Sequence, residues 1–154
     1  MYFLIKWVHV MAAITALGAN ITYGLWIVRA SRDPAVLRFT LRTIKLIDDR
    51  IANPAYGLLL VSGFAMVWVS DFPLHTPWLE AALTLYVVMF LLAVFGYTPT
   101  LKKQIAALEQ GGITSPEYRA SAARGRLLGA VLGVVVITIV FLMVVKPLLW
   151  GTAP

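Results

Sequence analysis

The sequence predicts an all-α, polytopic membrane protein built as a four-transmembrane-helix bundle. Of its 154 residues, 60% are hydrophobic and 13% are charged, whereas soluble domains average about 45–50% apolar and about 25% charged residues. Four apolar runs are long enough to cross a bilayer, which takes about 20 helical residues. The composition excludes a disordered chain, and the absence of cysteine excludes disulfides, iron–sulfur clusters and thiolate metal sites.

The four predicted spans and their connections make a single domain of residues 1–154. Five prolines follow a residue whose side-chain oxygen can accept an orphan N–H at a helix start, where proline fits the first position. They predict the starts of a loop helix, the second span, the third span, an extension of the third span, and the fourth span. These pairs are Asp33-Pro34, Asn53-Pro54, Thr76-Pro77, Thr98-Pro99 and Ser115-Pro116. The predicted spans cover about residues 2–28, 54–69, 78–97 and 127–150.

Pro54 and Pro99 fit a second interpretation equally well. Proline can kink a longer helix that runs through it instead of starting a new one. The sequence alone leaves these two alternatives open at both positions. The extension of the third span ends at Gly111-Gly112, because glycine favours the backbone conformation that terminates helices.

The basic residues predict the orientation of the chain. Residues 29–50 hold six Lys or Arg residues and residues 100–126 hold five, so eleven of the thirteen lie between spans on one side. Basic loops stay on the cytoplasmic side of a membrane. This places both termini outside, periplasmic or extracellular. It also explains the net charge of +6 without nucleic acid as a partner.

The cytoplasmic loop helix after Pro34 is predicted to be amphipathic. Apolar side chains recur at helical spacing on one face, and charged side chains occupy another. We expect this helix either to mark topology at the inner interface or to recognise anionic lipid or an acidic partner. The apolar face comprises Leu37, Leu41, Ile44, Ile47 and Ile51, and the charged face comprises Arg38, Arg42, Lys45 and Asp49.

One polar face of the first span carries the residues most able to do chemistry. Lys6 and His9 lie one helical turn apart, and Asn20 lies further along the same face. The residues between them on this face are small, which lets another helix or a flat ligand approach the backbone. His75, the only other histidine, and Glu80 are predicted on the same outer half of the bundle.

Two alternatives follow for these polar residues. Neutral imidazoles ligate b-type haem and borderline metals, so His9 is a candidate ligand of haem or a metal. His75 would then be the second ligand, and Lys6 would pair with a propionate or carboxylate. Alternatively, Lys6 snorkels to the headgroups, His9 hydrogen-bonds to Glu80 or a carbonyl within the bundle, and His75 is a solvated loop residue. No catalytic residue is predicted, because nucleotide-binding, hydrolase and paired-histidine zinc motifs are missing.

Three glycines at four-residue spacing predict a packing ridge on the fourth span. Gly125, Gly129 and Gly133 fall on one face of that helix. Small residues on a ridge allow helices to approach closely. The partner of this ridge is the first span, the third span or a second subunit.

Three stretches of the chain carry a family resemblance. They are Ile5-Lys6-Trp7-Val8-His9-Val10 with Ala12-Ala13 and Gly18, then Asp49-Arg50 through Pro54 to Ser62-Gly63, and Pro77-Trp78-Leu79 with Leu85-Tyr86. They resemble domain-of-unknown-function family 2269, which comprises small bacterial predicted membrane proteins. The resemblance covers essentially the whole chain and implies a multi-pass protein of the bacterial inner (cytoplasmic) membrane.

Lys6 and His9 also resemble the opening of the first span in two more distant families. These are the copper-resistance membrane protein D family and the haem-binding membrane protoporphyrinogen oxidase family. The resemblance implies a four-helix core whose first-span histidine binds b-type haem or copper. The oxidase family shows a further His and a Lys near the start of its third span, whereas residues 78–82 of this chain hold neither.

These observations predict a structural or accessory subunit of a membrane complex. Its partners would be the lipid bilayer and either another membrane protein or further copies of itself in a homo-oligomer. The first alternative is a b-type haem or metal-binding protein for electron transfer, with His9 as ligand. The second alternative is a small-molecule permeation path along the polar face of the first span.

Overall fold

The protein is helical along nearly all of the residues that the structure describes, which are 1–70, 73–147 and 149. In this computed structural model no strand occurs within those residues, which confirms the all-α prediction. The six α-helices are α1 (Tyr2–Ala30), α2 (Pro34–Ile47), α3 (Asn53–Ser70), α4 (Pro77–Leu91), α5 (Thr98–Gly111) and α6 (Pro116–Val145).

Two π-helical turns join four of these helices in pairs. The first π-turn (Asp48–Ala52) connects α2 to α3, and the second π-turn (Leu92–Tyr97) connects α4 to α5. The described residues therefore form four continuous helices of 29, 37, 35 and 30 residues, each long and apolar enough to span a membrane. This confirms the predicted four-helix membrane bundle.

At Pro54 and Pro99 the structure shows the second of the two alternatives, in which a longer helix runs through the proline. Both prolines lie inside continuous helices, each two residues after a π-turn. Proline within an α-helix lacks an N–H, and its ring meets the carbonyl four residues earlier. Here those carbonyls belong to Arg50 and Phe95, within the turns where the hydrogen bonds reach back five residues. The wider turns accommodate the prolines, so the loop helix is continuous with the second span and the extension with the third.

The other three proline-linked starts are confirmed, two of them with the predicted cap. The Asp33 carboxylate accepts two N–H groups from the first turn of α2, at 2.8 and 3.4 Å. The Ser115 hydroxyl accepts an N–H from the first turn of α6 at 3.2 Å. At α4 the Thr76 hydroxyl instead donates to the Pro73 carbonyl at 2.8 Å, so this helix starts as predicted without the side-chain cap.

The ends of the long helices extend beyond some predicted span limits. The last long helix begins at Pro116 rather than near residue 127, because its polar first turns pack against α5. Gly112 ends α5 as predicted, with a φ of 72° that favours glycine. The last long helix ends at Val145, and the predicted end of that span, Trp150, lies outside the described residues.

The tightest packing lies at one end of the bundle, which we call the basic end because residues 29–50 and 100–126 form it. An apolar cluster there joins α1, α2, α5 and α6. Its leucines are at most 2% exposed, and burying such a side chain stabilises by about 1.5–3 kcal/mol. This basic-end core comprises Tyr23, Ala30, Leu37, Leu41, Ile44, Leu101, Leu108, Tyr118 and Ala122.

The rest of the bundle buries fewer side chains. In the most apolar stretch of each long helix, only 11–17% of the residues are buried. At about 1.5 Å per residue the two longest helices measure more than 50 Å, whereas the hydrocarbon core of a bilayer is about 30 Å thick. The two longest helices are therefore longer than the hydrocarbon core is thick.

Candidate functional site

His9 lies between α1 and α3, where it bonds to a serine. Its Nδ1 is 2.9 Å from the Oγ of Ser62, a residue that is 5% exposed. The single hydroxyl proton of Ser62 is donated to the Leu58 carbonyl at 2.6 Å. The hydrogen-bond network therefore assigns the ring proton to Nδ1, with Ser62 accepting it, and leaves the lone pair on Nε2 of His9.

Gly63 makes room for the histidine ring against α3. A Cβ at Gly63 would lie 3.4 Å from the Cε1 of His9, at the short limit of ordinary van der Waals contact. His9 thus bonds within the bundle, as in the second alternative, but to a serine hydroxyl rather than to Glu80 or a carbonyl. Its role as a haem or metal ligand stays a prediction.

The other two predicted cofactor-binding residues lie apart from these contacts. His75 Nδ1 is 3.2 Å from Glu80 Oε1, and the His75 side chain is 95% exposed. Lys6 is exposed. Within the described part of the chain, no hydrogen bond or ion pair joins Lys6, His9 and His75, and no three His, Cys, Asp or Glu side chains group as a metal site.

The middle of the polar face on α1 is covered by α3. Ala16 is 1% exposed, and the amide of Asn20 donates to the Ala16 carbonyl at 2.9 Å and to the Tyr56 hydroxyl at 3.1 Å. Asn20 thus joins two spans. The central positions of this face therefore pack against protein. A permeation path along the face stays a prediction.

The glycine ridge of α6 faces the third long helix over part of its length. A Cβ at Gly125 would lie 3.4 Å from the Oε1 of Gln104, and one at Gly129 would lie 3.9 Å from Tyr97. A Cβ at Gly133 would meet no heavy atom within 4 Å. Of the predicted partners, the third long helix therefore contacts Gly125 and Gly129. Gly133 lies on an open surface.

Asp48, the first residue of the first π-turn, is a buried acid that was not predicted from the sequence. Asp48 is 6% exposed. Three hydroxyls lie close enough to interact electrostatically with its carboxylate: Tyr23 on α1, Tyr56 on α3 and Tyr97 in the second π-turn.

One pattern in the sequence indicates that Asp48 is buried. The buried apolar positions of α2 are Leu37, Leu41 and Ile44, with Thr40 buried beside them, and the next position on that stripe is Asp48. A carboxylate at a helical position reserved for apolar side chains indicates a buried acid. The neighbouring Asp49 obscured the signal, because it belongs to the charged face.

The comparison with known protein families identifies the chain at the level of family. A family model described as "Predicted integral membrane protein (DUF2269)" matches residues 3–147. The chain belongs to this family, and it is an integral, multi-pass protein of a lipid bilayer. No curated protein and no solved structure matches the chain.

The bond between His9 and Ser62 predicts a measurable coupling between α1 and α3. We expect Ser62→Ala to lower the free energy of unfolding by about 1 kcal/mol, because it removes a hydrogen bond, and His9→Ala to lower it more. The double variant should lose less than the sum, by about 0.6 kcal/mol, as for other bonds between membrane helices. Denaturant unfolding in detergent measures all three.

The matched control for this cycle is Thr15→Ala on α1. The Thr15 hydroxyl donates only to the Met11 carbonyl of its own helix, at 2.9 Å. In the double variant Thr15→Ala with Ser62→Ala, the two losses in the free energy of unfolding should add. Additive losses for His9 and Ser62 would contradict the interhelical bond.

Proposed function

We propose that this member of the family is a non-catalytic accessory subunit that assembles with further transmembrane helices. Small residues at a membrane helix surface allow a second helix to approach closely, whereas glycine without such a contact costs a helix about 1 kcal/mol relative to alanine. A Cβ would meet nothing within 4 Å at four glycines on three of the long helices. These are Gly18, Gly24, Gly57 and Gly133.

The glycine ridge is the observation that carries this proposal. It begins in contact with α5 at Gly125 and continues to Gly133, which lies on an open surface. The large apolar side chains beside it are also uncovered, with Val134 and Ile137 66% and 61% exposed. We infer that a helix of another membrane protein, or of a second copy, packs against this surface.

Assembly through this surface predicts the effect of filling it. In lipid nanodiscs, native mass spectrometry should show complexes larger than one chain, containing either further copies or a second membrane protein. Gly133→Leu should weaken them by about 1–3 kcal/mol, because extra methylenes overpack a close helix contact.

The control for this experiment is Val131→Leu, an exposed position on the opposite face of α6, which should preserve the complexes. Both variants should unfold at the temperature of the unaltered chain in detergent, because neither site is buried within one protomer. A chain that stays a lone monomer in nanodiscs would contradict the proposal.

We propose further that the basic end is cytoplasmic, that both termini are periplasmic or extracellular, and that the membrane is the bacterial inner membrane. The distribution of basic residues supports this orientation.

The chain has no cysteine, so a single introduced cysteine reports the accessibility of its own position directly. Leu74→Cys should react with a membrane-impermeant maleimide in intact spheroplasts, and Ala106→Cys only after lysis. The reverse pattern would refute the orientation.

A second candidate function is b-type haem or metal binding by His9. The bond to Ser62 supports it, since ligating histidines commonly donate their other ring N–H to a neighbouring acceptor. Nε2 of His9 would then be the ligand, with His75 as the predicted second ligand and Lys6 as the partner of a propionate or carboxylate. The exposed pairing of His75 with Glu80 gives this function less support than the accessory role.

Haem binding predicts a visible spectrum. Protein purified with an ample haem supply should show a Soret band that shifts on reduction with dithionite and disappears in His9→Ala. Ser62→Ala keeps the imidazole and should retain the band with a shifted position. A colourless preparation that also lacks stoichiometric metal would rule this candidate out.

A further inference from the structure

A groove between α1 and the second long helix opens on the outside of the bundle. Its volume is about 440 Å³, within the range of about 300–1,000 Å³ that small-molecule sites occupy. Each side contributes five residues at helical spacing, from Trp7 to Thr15 on α1 and from Arg50 to Leu58 on the first π-turn and α3. We propose that this groove binds one acyl chain of an anionic phospholipid, whose headgroup phosphate pairs with Arg50.

The shape of the groove suits a slender hydrocarbon chain. Two small residues, Ala12 and Ala55, line it and are only 4% and 8% exposed, so they form its floor. Large apolar side chains form its rim, where Met11, Ile51 and Leu58 are 43%, 47% and 46% exposed. A second helix would need small residues at the surface for close approach. In a lipid bilayer an acyl chain is the occupant that fits between these side chains.

The two sides of the groove are offset along the bundle. The two side-chain bonds between α1 and α3 set Thr15 at about the level of Leu58. From there the groove continues two turns along α1 to Trp7 and two turns the other way to Arg50. Its length is therefore roughly 24 Å by the helical rise. A leaflet accounts for half of the hydrocarbon core, which is about 30 Å thick, so the groove can hold an acyl chain along its whole length.

Arg50 supplies the charge that an anionic headgroup requires. It is exposed, and it is the charged side chain among the described residues that line the groove. No ion pair within the described ranges 1–70, 73–147 and 149 includes Arg50, whereas Arg42 and Lys45 on α2 pair with Glu109 and Asp49. Guanidinium matches the geometry of phosphate oxygens. Because Arg50 lies three residues before α3 begins, it stands at the end of the apolar stretch, where headgroups lie.

Native mass spectrometry of the purified full-length chain in detergent tests this proposal. With phosphatidylglycerol added, we expect saturable binding of one lipid per chain. Phosphatidylcholine with the same acyl chains should bind more weakly, because Arg50 repels its trimethylammonium group. Arg50→Gln should weaken the binding of phosphatidylglycerol about fivefold, the effect of one basic residue near an anionic lipid. The matched control, Arg38→Gln, alters an exposed basic residue of α2 outside the groove and should bind as the unaltered chain does.

Thr15→Phe tests the groove itself. Thr15 is exposed, so an aromatic ring there should block the acyl chain without disturbing the packed residues. Binding of both lipids should fall at least about tenfold, the effect of displacing two buried methylene groups. The control is Val10→Phe, because Val10 is 45% exposed and lies on another face of α1. Gly133→Leu should also leave lipid binding unchanged, which separates this site from the assembly surface on α6.

Three results would overturn the proposal. Equal binding of the two lipids, or an equal loss in Arg50→Gln and Arg38→Gln, would show diffuse attraction to the basic end instead of a site. Unchanged lipid binding in Thr15→Phe would exclude the groove. If Thr15→Phe instead dissociated complexes between copies while lipid binding persisted, the occupant would be a second copy of the chain.

Discussion

The requirement that each backbone polar group find its partner within its own helix governs this structure. Hydrocarbon offers no water to an unsatisfied N–H or carbonyl, so the spans are continuous helices. Even their hydroxyls follow the rule: Ser70 and Thr138 donate to the carbonyls four residues earlier, at 2.6 and 2.9 Å. The two π-turns have the same origin, because they carry the hydrogen-bond ladder past a proline without breaking the helix.

The polar contacts between helices are few, and each depends on a close approach. His9 reaches Ser62 because Gly63 leaves space for the ring. Asn20 meets the Tyr56 hydroxyl where α1 and α3 cross. These bonds fix the relative position of the first two spans more specifically than apolar contacts do, since each requires a donor at one place on one helix and an acceptor at one place on the other.

Local signals in the sequence predicted much of the fold. The caps at Asp33 and Ser115 depend on side chains within three residues of the helix start, so they could be recognised without tertiary information. Pro54 and Pro99 could not be resolved in this way, because a π-turn depends on how the two helix segments pack.

The candidate site was less predictable than the fold. The sequence indicated His9 as a candidate ligand, and that role stays a prediction. Its partner Ser62 lies 53 positions away, and only the packing of α1 on α3 brings the two residues together. The burial of Asp48 was not predicted although its position continues the buried stripe of α2, because the neighbouring Asp49 belongs to the charged face.

The uneven burial along the bundle has a thermodynamic consequence. The heat-capacity change of unfolding arises from apolar surface that is transferred into water. Spans that lose protein contacts within a bilayer exchange them for acyl chains and add little to that term. The basic-end core, with its buried leucines, is where contacts within the protein bury apolar side chains most densely. We therefore expect it to contribute most of the curvature of the stability curve with temperature and most of the sensitivity to urea.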